Sequence, residues 1–324
     1  MGERKVIEQI IEHLDKSENV ALPFGDDVSA IYINHNEVGV LKTDMLVGKT
    51  DIPPGMSLRQ AARKAVIMNI SDFAAKGVKP MAVLVSLGLP DKMTEKEVEE
   101  ISEGLNKGVR EYGTYVIGGD TNEAQDLIIC CMVFGISKLK TIMKRSGAKP
   151  GDILAVTGPF GKTSAGLKIL LEGFGALGSN LNFLDSVYVP RARLNEGLVL
   201  SRLGVVSASI DSSDGLAICL HELRKMSHVG FTVTKIPTTE EVIHFAKKNK
   251  LDSDDLALYG GEEYELVLTI QPEGMRKAQQ SIEKMGSKLV VIGKATENQE
   301  IVYYKDNMKK EIYYKGWEHF VNIK

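Results

Sequence analysis

Short apolar segments alternate with helical segments along most of the chain, and this alternation restricts the fold to helices packed on sheets. The strand-like segments of the first half lie at 28–33, 38–43, 81–88, 114–118 and 127–136. Two helices are predicted between them. The first begins after Ser57, its predicted N-cap, and ends at Gly77. The second covers 94–112, where Thr94 and Glu97 match a capping box.

The second half continues the alternation. Its predicted strands are 152–157, 205–210, 230–234, 264–270 and 288–293, and its predicted helices are 163–172, 190–202, 214–227, 239–248 and 274–285. A Gly/Asn-rich loop is expected at 173–186. No segment repeats at a fixed period. We therefore expect an α/β fold built of mixed α+β layers in both halves.

A chain of 324 residues is long enough for two domains. Residues 138–150, KLKTIMKRSGAKP, are basic, lack a clear hydrophobic period and end before a glycine, which is typical of a junction. The sequence thus predicts an N-terminal mixed-sheet domain with flanking helices at 1–147 and a C-terminal α/β domain at 148–324.

The composition is that of an ordinary globular protein, with 43% hydrophobic and 26% charged residues. A net charge of -3 argues against nucleic acid or an anionic membrane as the main partner. Cys130, Cys131 and Cys219 do not form a disulfide framework, so we expect a cytoplasmic location. The N-terminus is an amphipathic helix by its spacing, and no apolar run approaches the roughly 20 residues of a membrane span.

Residues 153–166, ILAVTGPFGKTSAG, resemble a phosphate-binding P-loop. That loop needs four residues between its first glycine and the Gly-Lys-Thr triplet. Counting back from Gly161 places the first glycine at Val156, whereas Gly158 is two residues too close. Because successive backbone N–H groups must wrap the phosphate, the shorter loop excludes this cradle. Only a strand, a turn and a helix N-terminus remain.

Aspartates recur where predicted strands end in Gly/Ser/Thr turns. They are Asp27, Asp44, Asp120, Asp211 and Asp214. Loops at strand ends are where α/β proteins usually bind ligands. Aspartate is also a common turn former, and Asp214 could simply cap the helix that follows. Several such turns in one chain favour a shared site.

Asp72 lies on one stripe of the first predicted helix, together with Leu58, Ala61, Ala62, Ala65 and Asn69. If this stripe faces the core, the carboxylate needs a cation or several donors to offset its desolvation. Alternatively the stripe reaches solvent at its C-terminal end, as Lys76 on the same face suggests. The sequence leaves both interpretations open.

Other catalytic signatures are absent from the sequence, including a nucleophile elbow, His-Glu-x-x-His, Cys-x-x-Cys and Gly-x-Gly-x-x-Gly after a strand. An aspartate-rich, all-oxygen site suits Mg²⁺. Carboxylates that converge without a histidine base point to metal-assisted phosphoryl transfer.

Taken together, the motifs resemble the thiamine-monophosphate kinase family, within the ATP-binding superfamily of aminoimidazole-ribonucleotide synthetase. The matching stretches are, in order, GDDVSA, TDMLV, NISDFAAKGVKP, GGDT, RSGAKPGDILAVTGPFG, DSSDGLA, GGEEYEL and KGWEHF. They extend from residue 25 to 320, nearly the whole chain. The resemblance implies the two-domain fold of that superfamily and ATP-dependent phosphorylation of thiamine monophosphate to thiamine diphosphate with Mg²⁺. It also implies a homodimer joined through the N-terminal half.

The resemblance further implies roles for individual residues. Mg²⁺ positions of the family correspond to Asp27, Thr43, Asp44, Asp72, Asp120, Asp211 and Asp214. ATP contacts correspond to Gly119, Asp120, Arg145 and Ser213, and substrate contacts to Asp51, Glu262 and Trp317. The residues predicted to be catalytic are Asp72, Asp120, Arg145 and Asp214. Trp317, the only tryptophan, is either a core anchor or a platform that stacks on the cationic thiazolium.

The chain departs from the family pattern at four positions. Many members have Ser where this chain has Lys42, and a substrate-contacting His is replaced by Asp51. Glu263 replaces an Asp, and Ser102 replaces a Tyr on the nucleotide side. We expect Lys42 and Asp51 to compensate each other partly in charge. These departures leave the predicted metal site intact and affect the substrate and nucleotide contacts.

Two other functions are compatible with the sequence. One is another ATP-dependent synthetase of the same superfamily, which would share the aspartates and differ around Glu262 and Trp317. The other is a nucleotide-binding regulator without catalysis. The intact acidic positions argue against the regulator, which has little need for all of them.

Overall fold

The computed structural model describes residues 2–15, 17–174, 181–305, 308–318 and 320. Its helices are α1 (Glu3–Ile11), α2 (Gly48–Asp51), α3 (Leu58–Lys76), α4 (Glu95–Glu111), α5 (Lys162–Glu172), α6 (Leu181–Tyr188), α7 (Leu194–Leu203), α8 (Leu216–Ser227), α9 (Glu240–Asn249), α10 (Ser253–Tyr259) and α11 (Pro272–Glu283). Its strands are β1 (Val20–Leu22), β2 (Ser29–Tyr32), β3 (Glu37–Val47), β4 (Ala82–Leu89), β5 (Val116–Glu123), β6 (Ile128–Lys138), β7 (Ile153–Val156), β8 (Val206–Asp211), β9 (Gly230–Val233), β10 (Leu266–Ile270), β11 (Val290–Thr296), β12 (Ile301–Lys305) and β13 (Met308–Glu311).

The strands form two mixed sheets. The first has the order β1-β2-β3-β6-β4-β5, and its only parallel pair, β4 with β5, is joined by α4. The second has the order β13-β12-β9-β11-β7-β10-β8, and β12 and β9 are its parallel pair. The predicted α/β class with mixed layers is therefore confirmed.

The two predicted helices of the first half form as expected. Ser57 is the N-cap of α3, and Gln60 completes a capping box with it. At the other end, Gly77 adopts a left-handed conformation that ends the helix. Thr94 and Glu97 form the predicted capping box of α4. Local sequence signals thus fix both ends of α3, the helix that carries Asp72.

Several elements of the second half differ from the prediction. Part of the expected loop at 173–186 is helix α6, while residues 175–180 lie outside the described residues. This helix forms because Phe183 and Val187 bury their side chains, Phe183 beside Ala165 of α5. The sequence pattern also does not indicate α10, β12 or β13. Burial against neighbouring elements stabilises α10 and β12, and pairing with β12 holds the exposed β13. Local periodicity does not encode these contacts.

Helix α3 lies at the centre of the molecule. It packs against β3 and β6 of the first sheet, and against α7 and β8 in the second half of the chain. Three of its charged side chains, Arg63, Lys64 and Lys76, are buried. Since a helix buried on all sides has no solvent face, these charges must find partners inside the protein.

The apolar core is continuous between the two sheets. Its largest cluster joins residues such as Val40 and Ile67 to Leu200 and Leu268. Two glycines permit the close contact of α3 with α7. A Cβ at Gly197 would lie 2.0 Å from the carbonyl oxygen of Ala74, and a Cβ at Gly77 would lie 2.2 Å from the Cβ of Ser201. The described helices include none with the length and hydropathy needed to cross a bilayer.

We expect Gly197→Val to destabilise the protein, because the new side chain would force α7 away from α3. Overpacking of this kind costs about 1–3 kcal/mol. Asn195→Val introduces the same side chain on the exposed side of the same helix, away from α3, and is the matched control. Urea unfolding followed by circular dichroism measures both variants. Equal midpoints for the two would show that the close helix contact is not required.

Candidate active site

Strand β3 directs alternate side chains toward α3. Val38, Val40 and Leu46 on this face are fully buried, and the positions between them on the same face are Lys42 and Asp44. The Nζ atom of Lys42 lies 3.0 Å from Asp44 and 3.1 Å from Asp72 of α3. A charged pair on an otherwise apolar strand face therefore meets a carboxylate from the facing helix.

Helix α3 supplies polar groups at its buried C-terminal half. Asn69 accepts a hydrogen bond from the backbone N–H of Asp44 at 2.9 Å, and so aligns β3 with the helix. Asp72 is 5% exposed and Lys76 is fully buried. The alternative that this stripe reaches solvent near Lys76 is therefore wrong, and Asp72 is a buried carboxylate.

Three buried carboxylates converge at this point. Ligand oxygens of Asp27, Asp72 and Asp211 all lie within 4.8 Å of one another. Asp27 comes from the turn before β2, as predicted, and Asp211 is the last residue of β8. Ser71 of α3 donates a hydrogen bond to Asp211 at 2.7 Å, across the two halves of the chain. Lys42 also links Asp44 to Asp72, so four of the six predicted aspartates are brought together.

Two further cations hold Asp27. Lys76 lies 2.7 Å from its Oδ2 atom and donates to the carbonyl oxygen of Ser209 at 2.9 Å. Arg145 donates through Nε to Oδ1 of Asp27 at 2.6 Å. Its backbone N–H also donates to the neighbouring Asp26 at 3.1 Å. Arg145 is thereby fixed at the acidic cluster.

The carboxylates of the cluster differ in proton affinity. Burial alone would raise the pKa of Asp27, but Arg145 and Lys76 hold it below its ordinary value. Burial raises the pKa of Asp72 well above its ordinary value, and the nearby carboxylates add to this against the effect of Lys42. Burial and the charge of Asp27 raise the pKa of Asp211 to about 7. Asp72 and Asp211 therefore ionise less readily than free aspartates, and an added cation would stabilise their ionised form.

Asp214 follows in the turn after β8, beside a cavity of about 200 Å³ that Arg145, Ser213 and Trp317 also line. Asp214 does not cap α8: the N-cap is Gly215, and no side-chain hydrogen bond caps that helix. Burial and the charge of Glu3 raise the pKa of Asp214 to about 6. The carboxylate is directed to the cavity region instead of the helix.

Trp317 lies at the same cavity. Its backbone N–H donates to the carbonyl oxygen of Asp214 at 3.1 Å, and its side chain is 48% exposed. The interpretation of Trp317 as a core anchor is therefore wrong. Trp317 is half-exposed and lines the cavity beside Asp214.

Lys64 of α3 joins two of the predicted substrate residues. Its ammonium forms an ion pair with Glu262 and donates to the backbone carbonyl of Asp51 at 3.1 Å. The carboxylate of Asp51 accepts a hydrogen bond from the N–H of Val47 at 2.7 Å. The expected charge compensation between Lys42 and Asp51 is wrong, because Lys42 pairs with Asp44 and Asp72 across the β3–α3 interface.

In the segment that resembles a P-loop, a carboxylate already occupies the N-terminus of α5. The carboxylate of Glu263 accepts hydrogen bonds from the N–H groups of Gly161 at 2.6 Å and Thr163 at 3.2 Å. Burial raises the pKa of Glu263 to about 7. Gly161 has a φ of 98°, and a Cβ at Gly158 would lie 2.4 Å from a carboxylate oxygen of Glu265. Both glycines are thus required by the turn and its packing.

The predicted ligands Asp120 and Thr43 lie apart from the cluster. Asp44 and Asp120 are within β3 and β5, and not in turns as predicted, because these strands continue to pair with β6 and β4 beyond them. Cross-strand pairing puts Asp120 in one row with Ser86 and Met45. Its side chain therefore lies on the sheet face opposite that of Asp44. Thr43 is also on that face, where its hydroxyl donates to the carbonyl of Cys131 at 3.0 Å.

Gly119 is three strands away from Asp44 in the same cross-strand row. Three strand spacings correspond to about 14 Å. A Cβ at Gly119 would lie 1.8 Å from the carbonyl oxygen of Val85, so the close approach of β5 to β4 requires glycine here. Its predicted ATP contact is not tested by this geometry and stays a prediction.

Nothing in the motifs indicates Lys64, Lys76 or Ser71 as residues of the site. One signal is available, however. Apolar residues are spread around the whole circumference of α3, and this predicts a helix buried on all sides whose charges pair internally. The partners come from the turn before β2, from α2, from β8 and from the 260–265 segment, which no local pattern places near α3.

Comparison with known proteins agrees with this architecture. The family described as AIR synthase related protein, N-terminal domain, matches residues 25–137. The thiamine-monophosphate kinase of Nitrosopumilus maritimus is 36% identical over 296 residues, which cover 91% of this chain and 93% of the relative. That of Pyrococcus horikoshii is 36% identical over 321 residues, covering 98% and 96%.

A solved structure described as AaThiL complexed with AMPPCP and TMP is similar to the whole chain. The TM-score is 0.85 and the sequence identity is 26%, with 98% of this chain and 97% of that chain covered. The predicted aminoimidazole-ribonucleotide synthetase-like fold is thus confirmed. Because its relatives match it at this identity over nearly their full length, the chain belongs to the thiamine-monophosphate kinase family.

Proposed function

We propose that the protein transfers the γ-phosphate of ATP to thiamine monophosphate and so forms thiamine diphosphate, the last step in the synthesis of that cofactor. The observation that carries the proposal is the buried Asp27–Asp72–Asp211 cluster with Arg145 at its side. The kinase relatives, and a similar structure complexed with AMPPCP and TMP, support both substrates. AMPPCP is an ATP analogue whose γ-phosphate is not transferred.

The chemistry of this reaction fits the residues present. The attacking group is a phosphate oxygen that is already ionised near neutral pH, so no general base is required. The main barrier is the repulsion between two polyanions. Arg145, held in place by Asp27, supplies a fixed positive charge beside the cavity. In-line transfer then depends on the positions of the two phosphates more than on proton transfer.

The donor set also fits magnesium. Mg²⁺ prefers carboxylate and phosphate oxygens, and a cation would stabilise three carboxylates that are buried this close together. We propose that Asp27, Asp72 and Asp211 would hold it, with Asp214 beside them. When bound, Mg²⁺ would neutralise charge on the transferred phosphoryl group. Thr43 and Asp120, whose side chains lie on the other sheet face, stay predictions as ligands.

Two of the predicted substrate residues, Glu262 and Trp317, contact the turn after β8. Ser213 accepts a hydrogen bond from the N–H of Glu262 at 2.6 Å, and so joins the nucleotide-side turn to the substrate-side loop. Trp317 would stack on the cationic thiazolium, for which tryptophan is the best aromatic partner. Glu262, held by Lys64, would add negative charge near the same ring system.

We propose that the protein is a homodimer that acts in the cytoplasm. The sheet face opposite Asp44 exposes Met45 by 53%, Leu84 by 36%, Ile31 by 43% and Ile136 by 39%. A contiguous apolar face of this kind is typical of an interaction surface. Asp120 lies on this face, so any ATP or metal ion that it binds would lie at the dimer interface. We also propose domains at 1–147 and 148–324.

We expect the purified protein to form thiamine diphosphate from ATP, Mg²⁺ and thiamine monophosphate, with one ADP released per product. Chromatography of the thiamine esters measures it. If only another superfamily substrate were turned over, the protein would be a different synthetase. Nucleotide binding without phosphate transfer to any substrate would identify a regulator.

We expect Asp72→Asn to reduce kcat about 100-fold or more, because loss of one group that stabilises transition-state charge typically costs 10²–10³ in rate. The substitution preserves size and removes a carboxylate that burial makes unfavourable, so the variant should still unfold cooperatively on heating. Steady-state kinetics and circular dichroism measure the two effects. A rate near that of the parent would show that Asp72 is not part of the reacting site.

We expect Lys162→Ala to change kcat and the KM for ATP less than about threefold. The side chain lies in the segment that resembles a P-loop, but its ammonium is 3.0 Å from Glu241 in a partly exposed ion pair. The same assay measures this variant beside Asp72→Asn. A loss as large as that of Asp72→Asn would mean that Lys162 binds nucleotide phosphate.

A further inference from the structure

We propose that Lys42 is a built-in cation that occupies the position between Asp44 and Asp72 and replaces one divalent cation there. This inference rests on the proposed function, because it concerns how the same acidic site is neutralised. It predicts that this protein binds fewer divalent cations than its carboxylates alone would hold.

The first support is the position of the ammonium. Its distances of 3.0 Å to Asp44 and 3.1 Å to Asp72 place it between the two carboxylates. Mg²⁺ lies about 2.0–2.1 Å from each ligand oxygen. A metal ion that bridged the same two oxygens would therefore need the space that Nζ occupies. Lysine and a bridging metal exclude each other at this point.

The second support is how the side chain is held. Lys42 projects from the α3-facing side of β3, paired with the fully buried Val133 of β6. Its side chain is 20% exposed, and the side chain of Asp72 is 8% exposed. Moving the ammonium away would remove the ion-pair partner of the half-buried Asp44 and of the buried Asp72, which is costly. The lysine is thus a stable occupant of this position.

The third support is the distribution of the remaining charges. Lys76 and Arg145 both contact Asp27. Asp211, in contrast, accepts a hydrogen bond from Ser71 and has no lysine or arginine within ion-pair distance among the described residues. The need for an added cation is therefore greatest at the Asp27–Asp72–Asp211 side of the cluster. Lys42 neutralises the Asp44 side.

The test counts bound Mn²⁺ per chain by electron paramagnetic resonance, with and without AMPPCP. We expect Lys42→Ser to bind one more Mn²⁺ ion than the parent protein. Lys42→Arg, which keeps the charge, is the matched control and should bind the same number as the parent. Equal numbers for Lys42→Ser and the parent would overturn the inference.

A second arm does not depend on the folding of Lys42→Ser. In the parent background, Asp44→Asn should leave the number of bound Mn²⁺ ions unchanged, because Lys42 and not a metal ion occupies the position beside Asp44. Loss of one ion in Asp44→Asn would overturn the inference. Thermal unfolding adds an independent readout, since Mg²⁺ should raise the midpoint of Lys42→Ser more than that of Lys42→Arg.

These measurements separate the inference from the proposed function. Ion numbers and unfolding temperatures require no phosphate transfer. If thiamine diphosphate is not formed but Lys42→Ser binds the additional ion, the function is wrong and the role of Lys42 stands. If the kinase reaction proceeds and the ion numbers are equal, the function stands and Lys42 has no such role.

Discussion

The burial of like charges at one place is the constraint on which the rest of this structure depends. Asp27, Asp72 and Asp211 meet in a region with little access to water. Such a cluster is unfavourable unless cations and donors surround it. Lys42, Lys76 and Arg145 supply the positive charge, and each comes from a different element of the chain. The site therefore assembles only when the elements that carry these residues are in place.

Helix α3 makes polar contacts with the elements on both of its sides, and these contacts hold the buried carboxylates in place. Toward the first sheet, Asn69 and Asp72 contact the β3 strand. Toward the second half, Ser71 and Lys76 bind β8 through Asp211 and the carbonyl of Ser209. Close packing of α3 on α7 adds an apolar contact to these polar ones. The same helix thus positions the reacting carboxylates and fixes the two sheets relative to each other.

The sequence motifs predicted which residues belong to the site, but not how all of their side chains are oriented. Local sequence signals encode both ends of α3 and the apolar residues of its stripe, but the burial of Asp72 is decided by the elements that pack around the helix. The side chains of Asp44 and Asp120 could not be assigned to opposite sheet faces, because that depends on how far β3 and β5 remain paired. The partners of Lys64 and Lys76 come from distant segments, so their roles follow only from the tertiary arrangement.

The turn between β7 and α5 has a consequence for how such sequences are searched. Gly161 is needed for its backbone conformation, and Gly158 for the space that Glu265 occupies. Any chain that keeps this turn and its carboxylates must therefore keep the same two glycines, whatever it binds. With a Lys-Thr pair after them, a search for glycines near Gly-Lys-Thr that ignores the spacing will return this segment as a nucleotide-binding loop. The false match arises because packing in this turn requires the glycines. The spacing of the glycines, and not the composition of the segment, therefore distinguishes a true P-loop from a turn of this kind.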